Sequence, residues 1–348
     1  VSSPVPHGLE PIAVIGMACH FPGSPGLEAY WHTLREGHDR ITEVPPERWR
    51  IEDFHASTHQ PGRSISRWGG FIEGIELFDP RYFGIAEQDA PCIDPLMRQF
   101  LEVSVQCFQH AGYNRSELAG RPVGVFAGSR MSSYASRMPA PTRHGVIGSG
   151  QNFIAAHVSH FFDLKGPGVV VDTACSSSLM AVHLACQSLR SGESELALAG
   201  GVDILLDESV YLTLSESRAL SRDGRCKTFD EKADGFVPGE GAGVLLLKPL
   251  RKALADGDRV YGVIDATAVN NDGHTMGITT PDPAGQRAVI QAALRAGLAA
   301  GSDRCGPPDQ GVTEPPPGDE ADATGGDAEP GMPGWGAPVE DAPHDAPP

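Results

Sequence analysis

The run Val171–Ser178, which reads VDTACSSS, lies between a predicted strand and a predicted helix. The segment Gly168–Val171 is apolar and β-branched, which is typical of a buried strand. From Leu179 to Leu189 the apolar residues recur at helical spacing. The chain must therefore turn sharply from a strand into a helix, and Cys175 lies at or near the N-terminus of that helix.

Two interpretations of Cys175 follow from this position. The unpaired N–H groups and the positive end of the helix dipole favour a thiolate, which is the strongest nucleophile among the side chains. The alternative is that Cys175 is a small buried hydrophobic residue, as free cysteines commonly are. Position alone leaves both interpretations open.

Four long blocks of sequence carry a resemblance to a known family. They are Pro11–Pro22 (PIAVIGMACHFP), Asp172–Leu179 (DTACSSSL), Leu220–Gly243 (LSRDGRCKTFDEKADGFVPGEGAG) and Ala268–Gly277 (AVNNDGHTMG). In this order they resemble the β-ketoacyl synthase (ketosynthase) family, most closely the ketosynthase domains of modular type I polyketide synthases. The resemblance covers about residues 9–300. It implies an α/β fold, the thiolase-like layered α-β-α-β-α sandwich of two similar halves.

The resemblance also implies an activity and partners. Cys175 corresponds to the catalytic cysteine that carries the growing acyl chain as a thioester. The implied enzyme is an acyltransferase that performs decarboxylative Claisen condensation with a malonyl-type extender. It needs no cofactor of its own, because phosphopantetheine is carried by a partner acyl carrier protein. A homodimer is implied as well, with residues 152–171 at the interface and the segment Met131–Met138 near it.

Two histidine motifs of the family do not occur in this sequence. They are His-Gly-Thr-Gly-Thr and Gly-His-x-Glu-Ala-Ala-Gly, and in the family their histidines stabilise the enolate that attacks the acyl thioester. We therefore expect that condensation is lost in this chain while Cys175 remains able to accept an acyl group. An alternative is an inactive ketosynthase-like fragment that acts as a carrier-protein or dimerisation partner. A third hypothesis, an acyl-thioester hydrolase, has no identified base.

Composition changes at about residue 300. Residues 301–348 contain 11 Pro, 9 Gly and 11 acidic residues against one basic residue. Such a segment has too few apolar residues to build a core, so we predict a disordered acidic tail. Because the family pattern also stops there, we expect a frameshift or misjoined end, with the missing second half encoded in another reading frame. An evolved interaction tail is the alternative.

Strands alternate with helices along residues 11–300, which indicates a layered α/β domain. The predicted strands and helices are Ile12–Met17, Leu27–Arg35, Pro95–Ala111, Val123–Ala127, Asn152–Phe162, Gly168–Val171, Leu179–Leu189, Leu196–Leu206, Ala242–Leu247, Val260–Val269 and Gln286–Leu298. The segment Pro45–Glu76 is predicted to lie outside the core. We divide the chain into a linker (1–10), the N-terminal ketosynthase half (11–249), the start of the C-terminal half (250–300) and the tail (301–348).

Several other classes of protein and site are disfavoured. No signal peptide and no membrane-spanning apolar run is visible, and seven cysteines without a C-x-x-C pair fit a reducing cytoplasm. A net charge of −18 argues against nucleic acid as a partner. His157 and His160 lack further ligands for a metal, and His274 is a weak substitute base. Ser176–Ser178 are first-turn residues of a helix, and Glu240 in a Gly-rich turn is expected to be paired internally.

Overall fold

A six-stranded mixed sheet is the framework of the structure, a computed structural model that describes residues 9–138 and 145–302, with the backbone alone at 299–302. Its strands are β1 (Ile12–His20), β4 (Val123–Gly128), β5 (Gly168–Val171), β6 (Leu196–Asp203), β7 (Gly241–Pro249) and β8 (Gly262–Ile264). Their order is β5-β4-β6-β7-β1-β8. β4 pairs in parallel with β5 and β6, and the other neighbouring pairs are antiparallel. Two short strands, β2 (Thr42–Glu43) and β3 (Trp68–Gly69), form a separate ribbon.

Helices cover both faces of this sheet. They are α1 (Leu27–Glu36), α2 (Pro95–His110), α3 (Arg115–Leu118), α4 (Gly145–Ser149), α5 (Phe153–Phe162), α6 (Ser177–Ser191), α7 (Ser209–Glu216), α8 (Leu250–Asp256) and α9 (Pro283–Ser302). α2 and α5 pack on one face, and α6 packs on the other. Among the described residues, no helix combines the length and the apolar character that crossing a bilayer requires.

The alternation of side chains along the strands divides the core into two layers. On β6, Leu196 and Leu198 face α2 and α5, whereas Ala197 and Ala199 face α6. Successive side chains of a strand point to opposite faces, so a strand buried on both faces is apolar throughout. The small residues of β6 on the α6 side allow that helix to lie close to the sheet.

The sequence located most of these elements. The strand Gly168–Val171 has the predicted bounds, and the other predicted elements overlap the observed ones. The predicted strand Val260–Val269 is reduced to β8, because only Ile12–Val14 of β1 pairs with it. The short helices α3, α4, α7 and α8 were not predicted. The predicted tail falls almost entirely at 303–348, which lies outside the described residues, as do residues 1–8 of the predicted linker.

The prediction that Pro45–Glu76 lies outside the core is wrong. This segment contributes to a separate buried cluster that consists of Val44, Trp49, Ile51, Ile65, Phe71, Leu205, Tyr211 and Leu220. The rings of Trp49 and Tyr211 lie 5.5 Å apart, edge to face. The apolar residues of the segment are widely spaced, so its burial depends on contacts with α7 that local patterns do not show.

Glu240 ties this cluster to the sheet. Its side chain is fully buried and forms an ion pair with Arg48, with N–O distances of 2.9 and 3.0 Å. The carboxylate also accepts the backbone N–H groups of Ile72 and Leu205, each at 2.9 Å. The expectation that Glu240 is paired internally is therefore confirmed. Burial raises the pKa of Glu240, and the Arg48 guanidinium opposes that rise.

Replacing Glu240 with Gln should destabilise the fold strongly. The change leaves the Arg48 guanidinium buried without its counter-charge, which costs about 3–5 kcal/mol. Glu36→Gln is the matched control, because Glu36 pairs with Arg35 at an exposed site and its loss should cost less than about 1 kcal/mol. Urea unfolding of the two variants measures the difference. If both variants lose the same free energy of unfolding, the ion pair between Glu240 and Arg48 does not stabilise the segment Pro45–Glu76.

Candidate active site

The carboxyl ends of three parallel strands define one edge of the sheet. Gly128 at the end of β4 is in register with Val171 of β5 and with Gly201 of β6. In open α/β sheets ligands bind outside the carboxyl ends of the parallel strands. The turn that contains Cys175 follows β5 directly, so Cys175 is placed at this edge.

The turn before α6 has an unusual backbone conformation. Ala174 has φ 55°, in the left-handed region that residues other than glycine rarely adopt. Its N–H donates to the Asp172 side chain at 2.9 Å. Residues 174–176 form a short 3-10 turn, and α6 begins at Ser177. Cys175 therefore lies immediately before the helix, which confirms the predicted position.

Two glycines allow the start of α6 to touch the sheet. A Cβ atom on Gly128 would lie 2.5 Å from the carbonyl carbon of Ser177, and one on Gly201 would lie 2.9 Å from the Cβ of Ser178. Both separations are shorter than non-bonded carbon atoms tolerate. No larger residue at either position would leave the first turn of α6, and hence Cys175, where it lies.

Cys175 is exposed and opens into a cavity of about 630 Å³. One side of the cavity is apolar and is formed by Phe21, Val202, Leu205, Val210, Leu214 and Phe236. The other side is formed by the turn, by Gly128 and by polar groups at the strand ends. The cavity therefore brings a thiol and an apolar surface together.

An ion pair lies at the polar side of this cavity. Arg130 donates through Nε to Asp203 at 2.8 Å; Arg130 lies two residues after the end of β4, and Asp203 is the last residue of β6. Burial raises the pKa of Asp203, and the Arg130 guanidinium partly offsets that rise. The pair places a guanidinium and a carboxylate in the lining of the cavity that contains the Cys175 thiol.

The structure separates the candidate histidines from Cys175. Among the described residues that line the cavity there is no histidine. His157 is hydrogen-bonded to the Ile147 carbonyl at 2.9 Å, and burial lowers its pKa. His274 is exposed and does not line the cavity. Within residues 9–138 and 145–302, no group of three potential ligands could hold a metal ion.

The described cysteines differ in accessibility. Cys175 and Cys226 are exposed, and Cys92 is partly exposed. Cys19, Cys107 and Cys186 are buried, and burial raises the pKa of each of these thiols. The seventh cysteine, at position 305, lies outside the described residues.

A larger cavity of about 810 Å³ lies elsewhere, between α2 and the segment that contains residues 73–83. It is lined by several carboxylates, including Glu102, whose pKa is raised to about 7 by burial. No cysteine is among the described residues that line it. Size alone would favour this cavity, but the smaller one contains the strand-end turn and the thiol.

Comparison with known families identifies the chain. The sequence profile described as "Beta-ketoacyl synthase, N-terminal domain" matches residues 9–253, and that described as "Beta-ketoacyl synthase, C-terminal domain" matches residues 261–302. The chain belongs to the β-ketoacyl synthase family, and its relatives place it among the ketosynthases of polyketide synthases. The resemblance stated from the four blocks is confirmed.

The relatives are large synthases. The chain is 48% identical over 305 residues to polyketide synthase ThaG of Burkholderia thailandensis, covering 86% of this chain and 5% of ThaG. It is 46% identical over 297 residues to a phthioceranic/hydroxyphthioceranic acid synthase of Mycobacterium tuberculosis, covering 83% of this chain and 14% of that protein. The chain thus spans a small part of these curated relatives.

Solved ketosynthases share the fold. The oxazolomycin ketosynthase domain OzmH KS7 of Streptomyces albus JA3453 matches with a TM-score of 0.78 and 38% identity, over 83% of this chain and 50% of that chain. A ketosynthase from module 6 of the bacillaene synthase of Bacillus subtilis 168 matches with a TM-score of 0.77 and 37% identity, over 83% and 49%. The layered, thiolase-like fold is confirmed, and the chain spans about half of these structures.

Three features of the site have no counterpart among the sequence-based predictions. The pairing of Arg130 with Asp203, the wall formed by α7 and the left-handed Ala174 were not predicted. The first had no local signal, because Asp203 lies inside the predicted strand Leu196–Leu206 and its partner follows a different strand.

Iodoacetamide should alkylate Cys175 first among the seven cysteines near neutral pH. Cys175 combines exposure with a position directly before α6, and cysteines at helix N-termini are in general reactive. Cys226 is the internal control, because it is also exposed but lies in a loop. Peptide mapping by mass spectrometry over a time course gives the order. Earlier labelling of Cys226 or Cys19 would contradict the assignment of the site.

Proposed function

We propose that this chain is a ketosynthase whose Cys175 accepts an acyl group from the phosphopantetheine thiol of an acyl carrier protein. The observation that carries this proposal is the location of Cys175. The thiol lies on the turn between a parallel strand and α6, and it opens into a partly apolar cavity. Membership of the β-ketoacyl synthase family supports the same chemistry.

The acyl transfer step can be written with the groups at the site. The Cys175 thiol first loses its proton to solvent, and the thiolate attacks the carbonyl carbon of the incoming thioester. A C–S bond to Cys175 forms, the C–S bond to the carrier breaks, and the released pantetheine thiolate takes up a proton. The apolar wall formed by Val210, Leu214 and Phe236 accommodates the acyl chain.

A backbone donor is available for the oxyanion of this step. No described residue accepts a hydrogen bond from the Cys175 N–H. An N–H group directed at the developing oxyanion is worth about 10²–10³ in rate. The residue that attacks the carbonyl therefore also supplies one donor for the charge that develops on it.

A second candidate function is supported by the histidine-free lining of the cavity. The described residues around Cys175 include no general base of the histidine type. A chain that binds a carrier protein or a second copy without catalysis would need none. Acyl transfer to Cys175 distinguishes this candidate from the first, because a purely binding role predicts no acyl-enzyme.

Incubation with an acylated carrier protein should add one acyl group to the chain. Cys175→Ala should abolish this mass increase, whereas Cys226→Ala, which removes the other exposed thiol among the described residues, should retain it. Intact-mass spectrometry measures the adduct, and tryptic mapping locates it. No adduct on the unsubstituted chain would favour the binding role.

With a carrier-bound malonyl extender we expect no condensation product from the 348-residue chain, since neither histidine motif occurs in its sequence.

We also propose that the chain forms a homodimer. β5 is an edge strand of the sheet, and Val169, Val170 and Val171 are only partly buried there. An apolar edge strand readily pairs with another chain.

Light scattering should give the mass of a dimer at micromolar protein concentration. The reason is that pairing removes the valine-rich edge of β5 from water. A dilution series separates a dimer in equilibrium from irreversible aggregation, because only the former dissociates. A stable monomer across the whole series would contradict the proposal.

A further inference from the structure

The Ser177 side chain forms hydrogen bonds to both Thr173 and Ala174, the two residues that precede Cys175. Its Oγ accepts the Thr173 N–H at 2.9 Å and donates to the Ala174 carbonyl oxygen at 2.7 Å. The Ala174 carbonyl also accepts the Ser177 N–H. One side chain therefore bridges the backbone on both sides of the left-handed Ala174.

The burial of Ser177 distinguishes it from its neighbours. Ser177 is 7% exposed, whereas Ser176 and Ser178 are exposed. The Ser176 hydroxyl contacts only Thr173, through its carbonyl oxygen and its Oγ1, each at 2.9 Å. Ser176 thus makes no bond to Ala174, and its hydroxyl does not span the strained residue.

We propose that Ser177 is a positioning residue that holds Ala174 in its left-handed conformation and thereby aims Cys175 into the cavity. This inference rests on the proposed function of Cys175 as the nucleophile. A left-handed alanine is strained and persists only where its surroundings enforce it. The two bonds of the Ser177 hydroxyl supply that enforcement, and the Asp172 side chain adds a third at the Ala174 N–H.

The Ser177 hydroxyl is not itself a nucleophile. Its proton is directed to the Ala174 carbonyl, and it accepts the Thr173 N–H. The atoms that lie against Gly128 at the end of β4 are backbone atoms of Ser177 and Ser178, not the Ser177 hydroxyl. The Ser177 side chain could still act by filling its buried position, and a second substitution separates that role from control of the backbone at Ala174.

Four variants of the full chain test the proposal by the rate at which iodoacetamide alkylates Cys175. Ser177→Ala should slow alkylation about tenfold, since it removes two hydrogen bonds from the turn. Ser176→Ala is the matched control and should stay within about twofold of the unsubstituted chain. Ala174→Gly should remove the need for Ser177, because glycine adopts positive φ without strain. The double variant A174G/S177A should therefore recover most of the rate.

The outcomes decide between positioning and packing. Equal rates for the unsubstituted chain and S177A would overturn the proposal. A double variant that is alkylated as slowly as S177A would also overturn it. The lower rate would then come from lost packing and not from the backbone conformation of Ala174. If S177A alone does not fold, A174G and A174G/S177A are compared, and equal rates are expected. A double variant that fails to fold would also overturn it.

The alkylation rate does not depend on acyl transfer. Acylation by an acyl-carrier thioester, measured on the same four variants, tests the proposed function separately. If the unsubstituted chain is alkylated rapidly at Cys175 but accepts no acyl group, the proposed function fails while the effect of Ser177 on the turn is still measured.

Discussion

The contact between the first turn of α6 and the strand ends is the constraint on which the site depends. Gly128 and Gly201 allow the backbone of the helix start to lie against β4 and β6 at distances that a Cβ atom would forbid. The turn must then cover the short path from Val171 to Ser177, and the left-handed Ala174 makes this possible. The close packing of α6 on the sheet therefore requires the strained backbone conformation of Ala174.

The wall of the cavity depends on a different part of the chain. Leu205 contacts the cavity with its side chain, while its N–H is held by Glu240. Glu240 also accepts hydrogen bonds from the Arg48 side chain and the Ile72 N–H. The segment Pro45–Glu76 is therefore linked to this wall through Glu240. A segment far from Cys175 in the sequence is therefore connected through Glu240 to Leu205 of the cavity lining. This makes the buried ion pair part of the support of the site.

Local sequence patterns predicted the strand Gly168–Val171, the following helix and the position of Cys175 between them, because periodicity and β-branching act over a few residues. The left-handed Ala174 had no signal, since alanine gives no indication of positive φ. The proximity of Arg130 to Asp203 depends on which strands become neighbours, and burial of Trp49 depends on packing with α7. Such features arise from tertiary contacts, which one sequence does not show.

The pairing of β1 has a consequence for the order in which the protein folds during synthesis. β1 is synthesised before the other strands of this sheet, yet its partners are β7, where Ile12 meets Pro249, and β8. Glu240 likewise binds Arg48 across 192 residues of chain. Nascent β1 must therefore wait with unpaired edges until nearly all of the described chain has been made, and closing so long a loop is slow. Until then an apolar strand with two unpaired edges is exposed to aggregation.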